Sequence, residues 1–322
     1  MLLKFLAGGI FMAILKLKPA CKDYIWGGRR LLDEFGVESG KQICAEAWTL
    51  SCHPDGASTL ESGETLAEYI KRNGSEILGT NCRYFRDFPI LIKLIDARAN
   101  LSVQVHPTDK YAVANEGQLG KSEMWYILDA EADSVLWCGF KQKLTRNEFA
   151  ARIKDDTLLE VLNAVKVHKG DTIFIPAGTI HAVGKGVLLA EIQQNSNVSY
   201  RIYDYGRGRP LHIAKALDVT DLNPPTLRGD AYPHLAACDY FVVDKLNLDG
   251  KILSEAQGVV NGESFLSVQI LGGTGKISNG GTTKAYRKGD SFFLTAGSGA
   301  WRINGTCDAL LTTVPKSHEE NL

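Results

Sequence analysis

What this 322-residue chain lacks narrows its possibilities first. It has no surplus of either charge: 36 Lys plus Arg stand against 37 Asp plus Glu, a formal net charge of −1. No general field therefore draws it to nucleic acid or to an anionic membrane. It has no paired cysteines. The seven, at positions 21, 44, 52, 82, 138, 238 and 307, are scattered, and none forms a C-x-x-C pair. An odd count in a long chain excludes a disulfide framework and a cysteine zinc site, and points to reduced thiols in the cytoplasm. It has no apolar run long enough for a bilayer. Residues 1–15, MLLKFLAGGIFMAIL, are too short to cross as a helix, and the LKLKP that ends and follows them offers no small-residue cleavage site. Residues 1–12 read as an N-terminal extension, with Met12 a candidate start. Nothing in the pattern calls for an obligatory protein partner.

What is present is an ordinary globular balance, 44% hydrophobic and 23% charged, in a chain long enough for two domains. Its 32 glycines suit many turns between short strands. The most informative stretch is residues 169–183, KGDTIFIPAGTIHAV. Lys169, Gly170 and Asp171 make a polar turn. Thr172 to Ile175 is a β-branched and aromatic run, expected as a buried strand. Pro176, Ala177 and Gly178 break it, and His181 is the first side chain able to return to a polar site. Gly, five residues, Pro, one residue, Gly, two residues, His resembles the second sequence motif of the cupins, whose double-stranded β-helix uses such a kink to aim an imidazole into the barrel mouth.

Strands are expected over 14–17, 45–51, 88–97, 102–106, 121–128, 187–194 and 199–205, and a short helix over 65–74. The spacing of Phe149, Ile153, Leu158, Leu159 and Leu162 predicts a helical insert over about 144–165, capped by Thr145. Three prolines within residues 221–235 mark a domain boundary. A metal-binding catalytic domain is placed at 13–225 and a second domain at 226–322. In the second, KGDSFFLTAGSGAWRI (288–303) repeats KGDTIFIPAGTIHAV, with Lys288, Gly289, Asp290 and Gly297 answering to Lys169, Gly170, Asp171 and Gly178. The fold class is therefore mainly β: two cupin-type jelly-roll barrels with a small helical segment. Pro176 answers to Thr295 and His181 to Ala300, so the second barrel is expected to be metal-free.

Alternation puts Ser102, Gln104 and His106 on one strand face, and Lys121, Glu123 and Trp125 on one face of the next. With His181 these offer Gln, His, Glu and His to one divalent ion. The set suits Zn²⁺, and two imidazoles with one carboxylate would also suit non-haem Fe²⁺. Lys93, in the middle of the apolar run FPILIKLIDA, marks either an edge strand or a cavity-facing lysine. Ser199, Arg201 and Tyr203 share a polar face that is either inward or solvated.

LIKLIDARANLSVQVHP (91–107), GKSEMWYIL (120–128), the motif at 169–183 and EIQQNSNVSYRIYDYGR (191–207) resemble the type I mannose-6-phosphate isomerases, zinc-dependent two-cupin aldose–ketose isomerases. Nearly the whole chain shares the resemblance, in the manner of the short bacterial branch. It implies one Zn²⁺ per chain held by Gln104, His106, Glu123 and His181, and a phosphorylated hexose substrate; the phosphate needs cations, and Lys93, Lys121 and Arg201, with Ser102, fall on strands expected to face the barrel mouth and bind it. It implies catalysis by Arg201 through an enediol. Lys121 and Glu191 are candidates for proton handling beside a metal-bound water. Longer members carry a lysine six residues after the arginine; here that position is Arg207, and the role is not transferred to it. A metal-dependent cupin oxygenase and a non-catalytic sugar-binding cupin are the competing readings.

Overall fold

The computed structural model describes residues 14–226 and 232–316. The proposed extension and Met12 lie outside them, as does the part of the domain boundary at 227–231. The described residues form three antiparallel sheets, of nine, six and five strands. In the six-stranded sheet the order is Thr172–Ile175, Glu123–Ala130, Val187–Gln194, Ile90–Ala97, Glu46–Leu50, Ala20–Lys22. The five-stranded sheet runs Tyr200–Tyr203, Val103–Val105, His181–Val183, Val135–Phe140, Leu162–Lys166.

Ile90–Ala97 is buried along its whole length and pairs on both sides, with Val187–Gln194 and with Glu46–Leu50. A fully buried central strand reads as a near-continuous apolar run, which is how this one reads. Lys93 therefore belongs to an interior strand, not an edge. Its register partners are Glu191 on one side and Trp48 on the other. Directly paired residues share a face, so all three point the same way.

The repeat is visible in the backbone. Gly170 and Gly289 both adopt positive φ, 96° and 93°, as do Gly178 and Gly297, 90° and 74°. Side chains resist that region, which is why glycine holds all four places. Asp171 accepts a hydrogen bond from the backbone of His168 (2.7 Å), and Asp290 accepts one from Arg287 (2.9 Å), the same turn three residues back. Strands Thr172–Ile175 and Ser291–Leu294 follow the two turns, and His181–Val183 and Gly299–Thr313 follow the two kinks.

One expectation needs correction. The helical pattern over 144–165 yields only Arg146–Lys154 and one turn at Leu158–Val161. Thr145 does cap the first helix, in a reciprocal pair with Glu148. The chain then breaks at Asp156, whose φ is 59°. From Leu162 it is a strand paired with Val135–Phe140. Leu158 and Leu162 enter the same apolar cluster either way, so side-chain spacing alone did not separate the two conformations.

The two parts of the chain are joined across the expected boundary. Strand Ile14–Lys18, assigned to the first domain, pairs with Ser291–Leu294 in the nine-stranded sheet of the C-terminal unit. One apolar cluster takes residues from both parts of the chain, including Leu50, Leu94, Phe88, Phe265 and Phe293. Phe88 stacks on Phe265 with ring centroids 5.3 Å apart. Each fully buried ring contributes roughly 1.5–3 kcal/mol, so the two units are held together firmly.

Candidate metal centre and active site

The site lies between the six- and five-stranded sheets. Val103–Val105 ends at the segment His106–Pro107, and the Pro176–Gly178 kink delivers His181 to the start of its strand beside Gln104. Glu123 begins the strand Glu123–Ala130 of the opposite sheet. One donor atom from each of His106, Glu123 and His181 lies within 4.8 Å of the others, and all three residues are buried. His106 Nε2 is 3.5 Å from Glu123 Oε2, and His181 Nε2 is 3.5 Å from Glu123 Oε1. Gln104 Nε2 is 3.4 Å from His181 Nε2, and half a turn of that amide puts its carbonyl oxygen there instead.

The tautomers follow from the outer partners. His106 Nδ1–H donates to the Val198 carbonyl (3.0 Å), and His181 Nδ1–H to the Thr179 carbonyl (2.8 Å). Each Nε2 then presents a lone pair toward the Glu123 carboxylate. Burial, reinforced by the Lys121 ammonium, pushes His106 down to about 3, so it is neutral. Burial also lowers His181. Glu123 is pulled both ways. Burial raises its carboxyl, but its surroundings, the Lys121 ammonium first, hold it well below the ordinary range. Lone pairs therefore face an anion in a dry interior, with no proton between them. His106 Nε2 and Glu123 Oε1 are buried and make no hydrogen bond. Such groups are costly unless a cation sits among them. A tetrahedral ion with bonds of about 2.0–2.1 Å sets its ligand atoms about 3.4 Å apart, which these separations match.

Beyond the three residues runs a line of alternating buried charge. Lys121 Nζ is 2.7 Å from Glu123 and 3.6 Å from Glu191. Lys93 Nζ is 3.0 Å from Glu191 and 3.6 Å from Glu46. Burial opposes the Lys93 charge, yet Glu191 and Glu46 outweigh it and raise its affinity for a proton. Trp125 donates to Glu191 (3.2 Å) and Trp48 to Glu46 (2.7 Å), orienting both carboxylates. Glu46, Glu123 and Glu191 face only Lys93 and Lys121, so the line carries one uncompensated negative charge.

Register also places the other expected residues. Gln104 pairs with His181 on one side and with Arg201 on the other. Arg201 therefore shares the face that carries His181, while Tyr200 and Ile202 enter an apolar cluster on the opposite face. Arg201 Nη1 donates to the Pro210 carbonyl (2.8 Å), and Nε is buried without a partner. Ser102 is buried just before Val103–Val105. Arg207 and Arg209 both bind Asp204, next to this strand.

Sequence reasoning did not select Glu46, Trp48 or Asp204. For the first two the signal was the alternation of AEAWTLS, which sets Glu46 and Trp48 on one face. For Asp204 there was none.

Two family models match the chain: "Phosphomannose isomerase type I, catalytic domain" over residues 14–154, and "Mannose-6-phosphate isomerase, cupin domain" over 232–314. A mannose-6-phosphate isomerase of Streptococcus mutans is 33% identical over 308 residues, covering 89% of this chain and 93% of the relative. The crystal structure of the mannose 6-phosphate isomerase from Bacillus subtilis superposes with a TM-score of 0.85 at 33% identity, covering 94% of this chain and 99% of that one. A mannose 6-phosphate isomerase bound with zinc and yttrium shares the fold, with a TM-score of 0.74 at 17% identity over 93% of this chain and 99% of that one. Whole-length identity of this order, together with both domain matches, makes the chain a member of the type I mannose-6-phosphate isomerase family.

Proposed function

We propose that the chain interconverts mannose 6-phosphate and fructose 6-phosphate at a single zinc ion held by His106, Glu123 and His181, with Gln104 as a fourth ligand. The observation that carries the metal is the pair of Nε2 lone pairs turned toward the buried Glu123 carboxylate. Zinc is the ion that this donor set suits, and a relative of the same fold was crystallised with it. Whole-length family membership sets aside the oxygenase and non-catalytic readings that the ligand set alone left open.

Zinc held by these residues would supply a Lewis acid for the substrate carbonyl. The chain's own groups do the rest. Glu191 accepts the proton that moves between C1 and C2, and Lys121 supplies a proton to the oxygen. Lys93 fixes Glu191 between two ammonium groups, so the carboxylate stays aimed while the proton is in transit. Arg201 meets the negative charge that develops on the enediolate. Ser102, just before the strand that carries Gln104, is left to contact the bound sugar, since Lys93 and Lys121 are engaged by the buried carboxylates. A divalent ion turns the net charge of the buried line from one negative to one positive, which favours an anionic substrate.

Among the described residues no helix is long and apolar enough to cross a membrane. All seven cysteines are unpaired, which supports a reducing, cytoplasmic location.

The decisive experiment couples fructose 6-phosphate formation to a reporter enzyme, with mannose 6-phosphate as substrate, before and after chelation and after zinc return. Turnover that is lost with the metal and regained with zinc is expected. A zinc-loaded chain that leaves mannose 6-phosphate unchanged would sink this function.

A further inference from the structure

The segment that carries both Lys121 and Glu123 is not held by sheet pairing alone. Strand Glu123–Ala130 begins only at Glu123, so Gly120, Lys121 and Ser122 precede it. Hydrogen bonds to the neighbouring segments clamp them. Lys121 N–H donates to the Pro107 carbonyl (3.0 Å). Ser122 N–H donates to the Gln194 side-chain oxygen (2.7 Å), and Gln194 N–H donates back to the Ser122 carbonyl (3.1 Å). Gly120 N–H donates to Asp109 Oδ1 (2.7 Å). A Cβ on Gly120 would meet backbone atoms of Pro107, Thr108 and Asp109 at 2.5 Å, so the two strips of chain lie in direct contact.

Asp109 is where these contacts converge. Its Oδ1 accepts from Gly120 N–H and from Gln194 Nε2–H (2.9 Å), the same Gln194 that grips Ser122. Its Oδ2 accepts the hydroxyl of Tyr240, from the turn between strands His234–Ala237 and Val242–Leu248 of the C-terminal unit. Phe85 packs on the Tyr240 ring at 6.2 Å, fixing the ring that presents the hydroxyl. His106 lies three residues before Asp109. One carboxylate thus joins the end of a metal-ligand loop, the strip bearing Lys121 and Glu123, and the second unit.

We propose that Asp109 is a positioning residue: it locks the 120–123 strip against the 106–109 loop and Tyr240, and so sets the Lys121 ammonium and Glu123 carboxylate at their working distances from His106 and His181. The carboxylate touches neither substrate nor metal. Its role needs two hydrogen-bonding positions, an acceptor for Gly120 and Gln194 and a polar atom toward the Tyr240 hydroxyl. An asparagine can keep both contacts, because its oxygen accepts from Gly120 and Gln194 while its amide N–H donates to the Tyr240 hydroxyl. Alanine keeps neither. The second unit thereby buttresses the catalytic strip through Tyr240.

The test uses the full chain with Asp109→Ala, Asp109→Asn, Tyr240→Phe and the Asp109→Ala, Tyr240→Phe double variant. The activity readout rests on the isomerase function proposed above. The zinc readout, competition against a chromogenic chelator, does not. Outer contacts of this kind are worth roughly 10–100-fold in metal affinity or activity. Asp109→Ala should lose that much in kcat and in zinc affinity, with a smaller change in KM, and Asp109→Asn should recover most of both. Tyr240→Phe should move the same two quantities less far, and should add little to Asp109→Ala, since both break one network. A merely structural role would lower Tm and leave kcat per folded, zinc-loaded molecule unchanged. That result, or wild-type zinc affinity in Asp109→Ala, or an Asp109→Asn variant as impaired as the alanine, overturns the proposal. If alanine at 109 prevents folding, Tyr240→Phe alone decides by the same two readouts. Failure of the wild-type chain to turn over mannose 6-phosphate would count against the isomerase function and leave the zinc comparison standing.

Discussion

Glu191 stands directly opposite Lys93 in the pairing of Val187–Gln194 with Ile90–Ala97, and their charged atoms meet at 3.0 Å inside the protein. Lys93 also faces Glu46 at 3.6 Å, so one ammonium is shared by two buried carboxylates. Removing it should cost far more than the pair adds. Breaking a buried ion pair from one side typically destabilises by about 3–5 kcal/mol, because the partner charge is left unpaired. Lys93→Met should therefore lower stability by that order in denaturant titration and slow turnover by misplacing Glu191. Lys93→Met together with Glu191→Gln should recover part of the stability and none of the activity. A single variant as stable as wild type would show that Lys93 is not needed to balance Glu46 and Glu191.

The metal ligands make a second, sharper case. His106→Ala or His181→Ala removes one of three buried donors, which should lower zinc occupancy to near zero and abolish isomerisation. The apolar clusters surrounding the site are untouched, so the circular dichroism spectrum should hold. Elemental analysis should find one zinc in the wild-type chain. Ala300 occupies the place that the repeat gives His181, so a second zinc is not expected. Stoichiometric zinc in either alanine variant would remove that histidine from the ligand set.

The pH dependence has a definite sign. In the metal-free folded chain His106 is pushed from 6.5 to about 3, chiefly by burial. Between those values the unfolded chain binds a proton at this residue that the folded chain does not. Stability of the metal-free protein should therefore be lost progressively as pH falls from 6.5 toward 3, and be fully present above 6.5. Zinc affinity should show the complementary behaviour. His106 is already neutral there and burial lowers His181 as well, so metal entry between pH 7 and 5 displaces fewer protons than two ordinary imidazoles would release. Two ordinary imidazoles would weaken binding by roughly 10²–10³-fold over that range. A chelator competition series that found so steep a fall would show that the histidines titrate normally.

How far the sequence carried depended on whether a feature was local. The turn at Lys169–Asp171, the kink at Pro176–Gly178 and their repeat at 288–297 are local, since glycine at positive φ and proline mark them directly. The shared faces of Gln104 with His106 and of Lys121 with Glu123 follow from a period of two. What was not legible needed partners distant in the chain. Alternation could not say whether Lys93 sat on an edge or whether Arg201 faced inward; pairing with Glu191 and Gln104 decided both. Asp109 drew no attention because its partners Gln194 and Tyr240 lie 85 and 131 positions away. The insert was misjudged because Leu158 and Leu162 are buried in one cluster under either conformation, and only the strand Val135–Phe140 offers the backbone partner that decides.

Arg201 carries the last prediction. It sits beside Gln104 on the face of the sheet that holds His181, and its Nε is buried without a partner. Burial and the neighbouring Arg209 lower its hold on its proton, yet a guanidinium stays charged at any working pH. An unsatisfied donor on an obligatory cation is a group reserved for an anion. Two anions arise in the reaction, the enediolate and the phosphate, and kinetics separates them. If Arg201 meets charge that exists only in the transition state, Arg201→Ala should lower kcat and kcat/KM alike, by roughly 10²-fold or more. If it grips phosphate equally in ground and transition states, KM should rise while kcat holds. The first outcome is expected, because the register places Arg201 next but one to His181, close to where the enediolate must form. Arg201→Lys should restore little, since an ammonium lacks the planar fork and reaches less far. Zinc content should stay at the wild-type value in both variants. Unchanged kinetics in Arg201→Ala, with zinc intact, would remove this residue from the catalytic groups.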